Sequence, residues 1–152
     1  MFPVRKIEEI TLKRTLAREL GFTVGERVLC FSSLRQDKNT PDRPVGWTDV
    51  YVEAAYTELR NIVRKSPQSL ISTLIEKRYG RHIAEIRQSV EAIGIPTALA
   101  AELKVKPGSP ALRIVRRYFD DSGDVFEGSV TIHPMDRFRL SMRLRRERAA
   151  DA

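Results

Sequence analysis

The chain has 152 residues, of which 41% are hydrophobic and 31% charged, which is typical of one globular domain rather than a disordered or fibrous chain. With one cysteine and two histidines it lacks the ligand clusters of zinc, haem or iron–sulfur proteins, so we expect neither a metal nor a cofactor. Lysine and arginine outnumber aspartate and glutamate by 27 to 20, and this net charge of +7 favours a nucleic acid or a small anion as partner.

The start of the chain is charged where a secretory signal would be apolar, since it carries Arg5, Lys6, Glu8 and Glu9. No apolar run approaches the roughly 20 residues that a membrane-spanning helix needs. We therefore expect a cytoplasmic protein without a membrane partner.

A helix followed by two strands is predicted for the first third of the chain. Leucines recur at helical spacing from Leu12 to Leu20, and Gly21 stands where a helix commonly ends. Residues 27–35 have the length and apolar content of a strand, and a polar loop separates them from a second strand at residues 45–52.

Two more helices and a third strand are predicted for the middle of the chain. One helix covers residues 53–63, and the other runs from Ser69, as its N-cap, to Tyr79, just before Gly80. Apolar and polar residues then alternate over residues 81–91, which indicates a half-buried strand.

The order of helix, turn, strand, loop and strand returns 83 positions further along the chain. Residues 16–20 (LAREL) resemble residues 99–103 (LAAEL), and Gly25 corresponds to Gly108. Two strands, the second at residues 125–133, complete the copy. Chance similarity between two amphipathic helices is the alternative, but the shared order favours a duplicated helix-strand-strand unit.

The last element predicted is a further strand. Apolar and polar residues alternate strictly from Phe138 to Leu144, and a turn at residues 134–136 makes this segment the hairpin partner of the preceding strand. Residues 147–152 are expected to be a frayed tail, so that the domain covers residues 1–146. Because hairpin-linked strands run antiparallel, the elements predict an α+β fold: a mainly antiparallel sheet of about six strands with helices on one face.

The strand at residues 125–133 carries a varied set of polar side chains. Alternation places one group on its apolar face, namely Phe126, Val130 and Ile132. The other face carries Glu127, Ser129, Thr131 and His133. A solvated sheet face is the common explanation of such a pattern, but this set is also suited to fixing a small polar ligand.

Arg35 and Arg116 supply possible cationic partners for such a ligand. A guanidinium group binds carboxylate or phosphate through two parallel hydrogen bonds, and surface ion pairing is the alternative role. Thr48 lies on the opposite face of its strand from Trp47 and Tyr51, and we expect Trp47 to pack in the core or at an interface.

No catalytic motif is found, and we assign no catalytic residue. Neither Gly-x-Ser-x-Gly nor a phosphate-binding Gly-rich loop occurs. Ser129 and His133 stand about 13 Å apart along one strand, which is too far for a dyad. Cys30 is expected to be a buried, inert thiol because its strand is apolar.

The positive charge is concentrated near the C-terminus, where residues 136–148 hold six arginines and two acidic residues. Such a stripe can contact phosphates, or it can be a solvent-facing ladder that protects a sheet edge. No helix offers a basic recognition face, so direct nucleic-acid binding is the weaker interpretation.

Several short stretches, each weak alone, occur in a specific order and spacing over nearly the whole chain. They are residues 20–28 (LGFTVGERV), 103–108 (LKVKPG), 111–114 (ALRI) with 116–118 (RRY), Asp120 with Gly123, and 127–129 (EGS) leading to 136–138 (DRF). In these stretches the chain resembles the UTRA domain, the effector-binding domain of GntR-type transcription regulators of the HutC subfamily, which shares its fold with chorismate lyase.

The resemblance implies a non-enzymatic sensor of a small anionic or polar metabolite that forms a homodimer. It also implies that DNA is bound by a winged helix-turn-helix domain, which is absent from this chain and is either missing or separate. Carried over by position, the expected ligand contacts are Arg35, Thr48, Glu127 and Ser129. The strand faces add Arg116, Tyr118 and His133.

Two positions depart from the family pattern. The first strand commonly ends in Arg-x-Arg, and here Ser33 takes the place of the first arginine; Thr48 replaces a frequent glutamate. These changes leave the ligand open. Two other functions also remain open: a chorismate lyase-type enzyme and, less favoured, a basic nucleic-acid-binding module.

Overall fold

A six-stranded antiparallel sheet organises the computed structural model, which describes residues 4–66 and 69–148. Its strands are β1 (Val4–Thr11), β2 (Arg27–Arg35), β3 (Gly46–Glu53), β4 (Glu85–Gly94), β5 (Pro110–Phe119) and β6 (Val125–Pro134). The α-helices of this described part are α1 (Arg14–Leu20), α2 (Leu59–Lys65), α3 (Ile71–Tyr79) and α4 (Thr97–Leu103). The strand order is β1-β2-β3-β6-β5-β4, and every neighbouring pair is antiparallel.

The sheet consists of two similar halves, as the repeat in the sequence predicts. One half is β1-α1-β2-β3 and the other is β4-α4-β5-β6. Ile7 pairs with Phe31 in the first half, and Val90 pairs with Ile114, each 83 positions later, in the second. The halves meet where β3 pairs with β6, so the last strand of each half lies at the centre of the sheet.

The predicted number of strands is confirmed, but one of the six is a different segment. Residues 138–144 form no strand, because β6 already pairs with β3 on one side and β5 on the other and offers no edge for a hairpin. The sixth strand is β1. Its apolar residues Val4, Ile7 and Ile10 recur every three positions, whereas a strand is recognised in a sequence by a period of two. Its register also shifts between Val4 and Lys6.

The helices lie on both faces of the sheet, and the expectation of one face was wrong. Leu20 of α1 packs against Val28 and Cys30 of β2, whereas Leu59 of α2 packs in a cluster with Leu29 and Phe31. Both faces need cover because β2 is apolar on both sides. Helix α4 shares the face of α1, and α3 shares the face of α2.

Some predicted boundaries shift by a few residues. The helix expected from residue 53 begins only at Leu59, since β3 extends to Glu53, and the strand expected at 81–91 is found at Glu85–Gly94. Ser69 is not an N-cap, because α3 begins after Leu70. The predicted helix end at Gly80 is confirmed, with φ of +67°.

Residues 149–152 of the predicted tail lie outside the described residues, and residues 147–148 have no regular structure. Within the described ranges, no helix is long and apolar enough to cross a membrane.

Candidate functional site

A cavity of about 320 Å³ lies on the face of the sheet that carries α2 and α3. Side chains of β2, β3, β5 and β6 form its floor. Its walls come from Val63 of α2, from residues 69–72 at the start of α3, and from Phe138 and Leu140 beyond β6. The cavity is therefore closed by segments that are remote from one another in the sequence.

All seven residues predicted as ligand contacts line this one cavity. They are Arg35, Thr48, Arg116, Tyr118, Glu127, Ser129 and His133. The strand pairing brings them together: Arg116 lies opposite Ser129 and Tyr118 opposite Glu127. Residues paired across neighbouring strands point to the same face, so one face collects side chains from four strands.

Arg35 and Arg116 make one part of the cavity strongly positive. Burial lowers the pKa of Arg35, and the neighbouring charge of Arg116 lowers it further. Arg116 is exposed, and its Nε donates a hydrogen bond to Gln88 Oε1 at 2.6 Å. An anion bound between the two guanidinium groups offsets their electrostatic repulsion, so this part of the cavity favours an anionic ligand.

Glu127 gives the cavity a second, opposite character. Its residue is 3% exposed, and its Oε1 has no hydrogen-bond partner among the described residues. Burial raises the pKa of Glu127 to about 8, so its carboxyl group is neutral at pH 7. The pKa of Tyr118 is raised by burial and by Glu127. Oε1 of Glu127 is thus a buried polar atom without a partner among the described residues, and a ligand can supply one.

Hydroxyl groups also line the cavity. Thr48 Oγ1 and Thr131 Oγ1 lie 2.9 Å apart across β3 and β6. Ser129 and Ser33 are buried beside them and also line the cavity. Each hydroxyl both donates and accepts, which suits a ligand with several polar groups.

His133 is fixed in orientation by two contacts. Its Nδ1 lies 2.8 Å from the carbonyl oxygen of Val45 and therefore donates to it, which leaves Nε2 as an acceptor. The ring stacks on Phe138, with ring centres 3.7 Å apart. Burial lowers the pKa of His133, the Val45 contact opposes this shift, and Arg35 adds to it. Gly46 permits the packing, because a Cβ there would lie 2.5 Å from Nδ1.

The structure corrects the predicted face of Phe126. The sequence places it opposite Glu127, but it packs with Leu29 and Phe31, on the same side as the cavity. The pairing of β5 with β6 shifts register between Tyr118 and Phe119, so strict alternation ends there.

Phe138 and Leu140 line the cavity, and sequence reasoning missed them because it placed both on a strand. The residues at the start of α3, including Ser72, were missed as well. Ser33 could have been predicted as a lining residue, since it lies on the same strand face as Arg35. Nothing in the sequence shows which segments cover a sheet face.

The remaining singled-out residues lie on the other face of the sheet. Trp47 packs beside α4, and its Nε1 donates to Asp49 Oδ1 at 3.1 Å. Cys30 is buried, and burial raises the pKa of its thiol to about 12. Among the described residues, no group of three or more histidine, cysteine or acidic side chains is placed to hold a metal ion.

One family model matches the chain. It is the model of the UTRA domain, and the match covers residues 3–139. No curated protein matches in sequence.

Solved structures share the fold at low sequence identity. The C-terminal domain of Yurk from Bacillus subtilis is 10% identical with a TM-score of 0.81, and the match covers 93% of this chain and 95% of that one. A GntR-family transcriptional regulator from Bacillus cereus is 16% identical with a TM-score of 0.79, over 95% and 98% of the two chains. The effector domain of PhnF from Mycobacterium smegmatis is 18% identical with a TM-score of 0.75, over 95% and 86%.

Proposed function

The chain belongs to the UTRA domain family, and on this premise we propose that it is the effector-binding domain of a GntR-type regulator of the HutC subfamily. Its cavity binds a small metabolite, and binding changes the DNA affinity of a winged helix-turn-helix domain through a shift between two states of a homodimer. The regulator acts in the cytoplasm. Solved structures named as GntR-family regulators and an effector domain have the same fold, which supports this role.

The observation that carries the proposal is the pairing of two arginines with an unpartnered buried carboxyl group in one cavity. Arg35 and Arg116 favour an anionic group such as carboxylate or phosphate. Glu127 favours a hydroxyl or amine elsewhere in the same ligand, since its Oε1 has no hydrogen-bond partner within residues 4–66 and 69–148. We therefore infer a metabolite that carries both kinds of group.

A thermal-shift panel of phosphosugars, hydroxy acids and amino acids tests this function. At least one compound raises the melting temperature of the wild-type chain by several degrees, because a ligand that binds only the folded state stabilises it. Arg35→Met and Arg116→Met lose that shift, and Arg139→Met keeps it, since Arg139 is exposed and outside the cavity. No shift with any compound at millimolar concentration, or an unchanged shift in both cavity variants, contradicts the proposal.

The enzyme alternative is supported by the burial of Glu127 in the cavity, because burial raises the pKa of its carboxyl group and a buried protonated carboxyl is typical of a general acid. Incubation with chorismate distinguishes the two functions. The sensor proposal expects no 4-hydroxybenzoate above the uncatalysed rate. Turnover that Glu127→Gln abolishes would establish the enzyme instead.

A further inference from the structure

The C-terminal segment, defined here as residues 138–148, has the sequence of a strand but no partner strand. No backbone–backbone hydrogen bond joins it to another described part of the chain. Leu140 is 43% exposed, Met142 72% and Leu144 84%, although all three are apolar. An extended chain with unpaired peptide groups and one apolar side is suited to adding to the edge of a sheet.

The segment cannot pair with β6, the strand that precedes it in the chain. Both sides of β6, the strand that precedes it, are occupied by β3 and β5. The free edges of the sheet belong to β1 and β4, the outermost strands. A partner for the segment must therefore come from one of these edges or from outside the chain.

The two free edges differ in character. Strand β1 exposes charged residues, among them Lys6 and Glu8 in an ion pair of 3.3 Å, and its Ile7 packs against the core. Strand β4 also exposes charged residues, among them Glu85 and Arg87 in an ion pair, but in addition it leaves Ile86 49% and Val90 38% exposed. Exposed apolar side chains on an edge strand favour pairing with another strand. The edge of β4 is therefore the one open to a partner.

We propose that the C-terminal segment of one copy pairs with the edge of β4 of a second copy, and that the reciprocal pairing closes a two-fold dimer. The inference rests on the proposed homodimer and names its interface. An interface in which each copy gives a strand and receives one is closed by two-fold symmetry and does not propagate into fibres.

The two surfaces match in their apolar residues. Phe138 and Leu140 line the cavity, so the apolar side of the segment faces the cavity side of the sheet. Val90 pairs with Ile114 of the cavity wall, which places Val90 and Ile86 on the same side of β4. A pairing in which the apolar side of the segment is turned to this side of β4 brings Met142 and Leu144 of one copy next to the exposed apolar residues of the other.

The charges match on the opposite side. Glu85 and Glu91 point to the other face of β4, and their side chains are 52% and 57% exposed. Arg87 lies between them on this face and forms an ion pair with Glu85. Arg139, Arg143 and Arg145 alternate with the apolar residues of the segment, and in the proposed pairing they face the two carboxylates. Each glutamate already contacts an arginine of its own chain, and an exposed carboxylate has room for a second donor.

The length of the segment also fits. The eight residues beyond Leu140, residues 141–148, span about 26 Å when extended, and β4 has ten residues. The segment leaves the cavity at Leu140, so the proposed interface begins at the wall of the ligand site. A ligand that moves Phe138 or Leu140 therefore acts directly on the dimer.

Sedimentation velocity across a concentration series of the 152-residue chain tests the interface. The double variant Met142→Glu/Leu144→Glu and the edge variant Ile86→Lys/Val90→Lys each raise the dimer dissociation constant at least tenfold. Val24→Glu, at an apolar residue of the α1–β2 turn that is 49% exposed, leaves that constant unchanged. Circular dichroism establishes that each variant is folded, which is expected because the altered side chains are exposed.

Three outcomes separate the inference from the function on which it rests. A dimer weakened by both variants supports the interface. A wild-type dimer that both variants leave intact overturns the interface and leaves the homodimer standing. A wild-type chain that is monomeric at every concentration overturns both, while ligand binding in the thermal-shift panel remains a separate result.

Cross-linking gives a second measurement that does not depend on loss of binding. Cys30 is buried, so introduced cysteines are the reactive ones. A mixture of Met142→Cys and Val90→Cys chains, treated with a short bismaleimide, yields the mixed cross-linked dimer as its main product. Replacing Val90→Cys by Val24→Cys abolishes that product. Equal yields from both mixtures overturn the proposed pairing.

Discussion

At the scale of single residues, Glu127 is the most informative side chain. It is buried on a strand that alternates between apolar and polar residues, and the strand pairing places it in the cavity with Tyr118. A carboxyl group in such a position is neutral when the cavity is empty, because burial disfavours its charged form. Ligand binding and proton binding are therefore linked at this residue.

Glu127→Gln is expected to change how stability depends on pH. Between the ordinary pKa of 4.5 and the folded value of about 8, the unfolded chain loses the Glu127 proton and the folded chain keeps it. The wild type therefore loses stability as pH rises through this window. Relative to wild type, the variant gains about 2 kcal/mol or more in unfolding free energy from pH 5 to pH 8.

Urea unfolding of both proteins at the two pH values measures this difference. Burying the amide group of the variant also costs free energy, but this cost is the same at both pH values and therefore drops out of the comparison. Parallel pH dependence of the two proteins would show that Glu127 is ionised in the folded chain at neutral pH, against this account.

At the scale of elements, Arg137 holds three segments together. Its guanidinium group donates to the carbonyl oxygens of Leu103 at 2.6 Å, Lys104 at 3.0 Å and Pro44 at 3.1 Å. The first two belong to the C-terminal end of α4, where carbonyl groups lack partners within the helix. This one side chain joins α4, the β2–β3 loop and the start of the C-terminal segment.

Arg137→Met is expected to lower the unfolding free energy by about 2 kcal/mol, because hydrogen bonds from a charged group to partly buried carbonyls are lost. Arg139→Met changes it by less than about 0.5 kcal/mol, since Arg139 is exposed. Denaturant unfolding at pH 7 measures both. Equal effects of the two substitutions would mean that the Arg137 contacts contribute nothing to stability.

Helix α1 packs closely on the sheet at Gly128, where the side chain of Leu20 contacts the backbone of β6. A Cβ there would lie 2.8 Å from Leu20 Cδ2, so Gly128→Ala forces the helix away and costs about 1 to 3 kcal/mol. Leu20→Ala leaves a cavity that costs about 2 to 5 kcal/mol. In the double variant the added methyl group fills part of that cavity. Its unfolding free energy, measured with a denaturant, therefore falls by less than the sum of the decreases in the two single variants. Strict additivity would show that the two residues do not touch.

Elements that depend on local pattern were predictable from the sequence, and elements that depend on pairing were not. Strand β2 was found because its length and apolar content are typical of a strand, and β6 because its residues alternate with a period of two. The segment from Phe138 to Leu144 alternates strictly, but β6, its predicted hairpin partner, has no free edge; β1 has a poor pattern but pairs with the edge of β2. Availability of an edge is a property of the whole sheet.

The candidate site follows the same division. Its floor, including Arg35 and Glu127, was predictable because a strand sends alternate side chains to one face. Its cover, including Ser72 and Phe138, was not, since the packing of α3 and of the C-terminal segment on the sheet is set by the tertiary fold. The face assigned to Phe126 failed because a register shift cannot be read from alternation.

At the scale of the whole molecule, the chain has a net charge of +7, and two groups of its arginines differ in position. Arg35 and Arg116 belong to the cavity, whereas five exposed arginines lie among residues 139–148. A cluster of exposed arginines binds nucleic acid through phosphates without regard to sequence.

Any binding of this chain to a short DNA duplex is expected to be independent of sequence and to disappear between roughly 50 and 200 mM salt. The triple variant Arg139→Ser/Arg143→Ser/Arg145→Ser removes it even at the lower salt concentration. Fluorescence anisotropy of two unrelated duplexes measures both effects. Tight, sequence-dependent binding at the higher salt concentration would favour the nucleic-acid-binding module instead.

The central claim is that one cavity binds an anionic metabolite between Arg35 and Arg116 and leaves a second polar group of that ligand to Glu127. A crystal structure of the chain with the most stabilising compound of the thermal-shift panel tests it most directly. We predict the anionic group within hydrogen-bond distance of both guanidinium groups and a hydroxyl or amine on Glu127. A ligand bound outside this cavity, or one whose anionic group contacts neither arginine, would contradict the account.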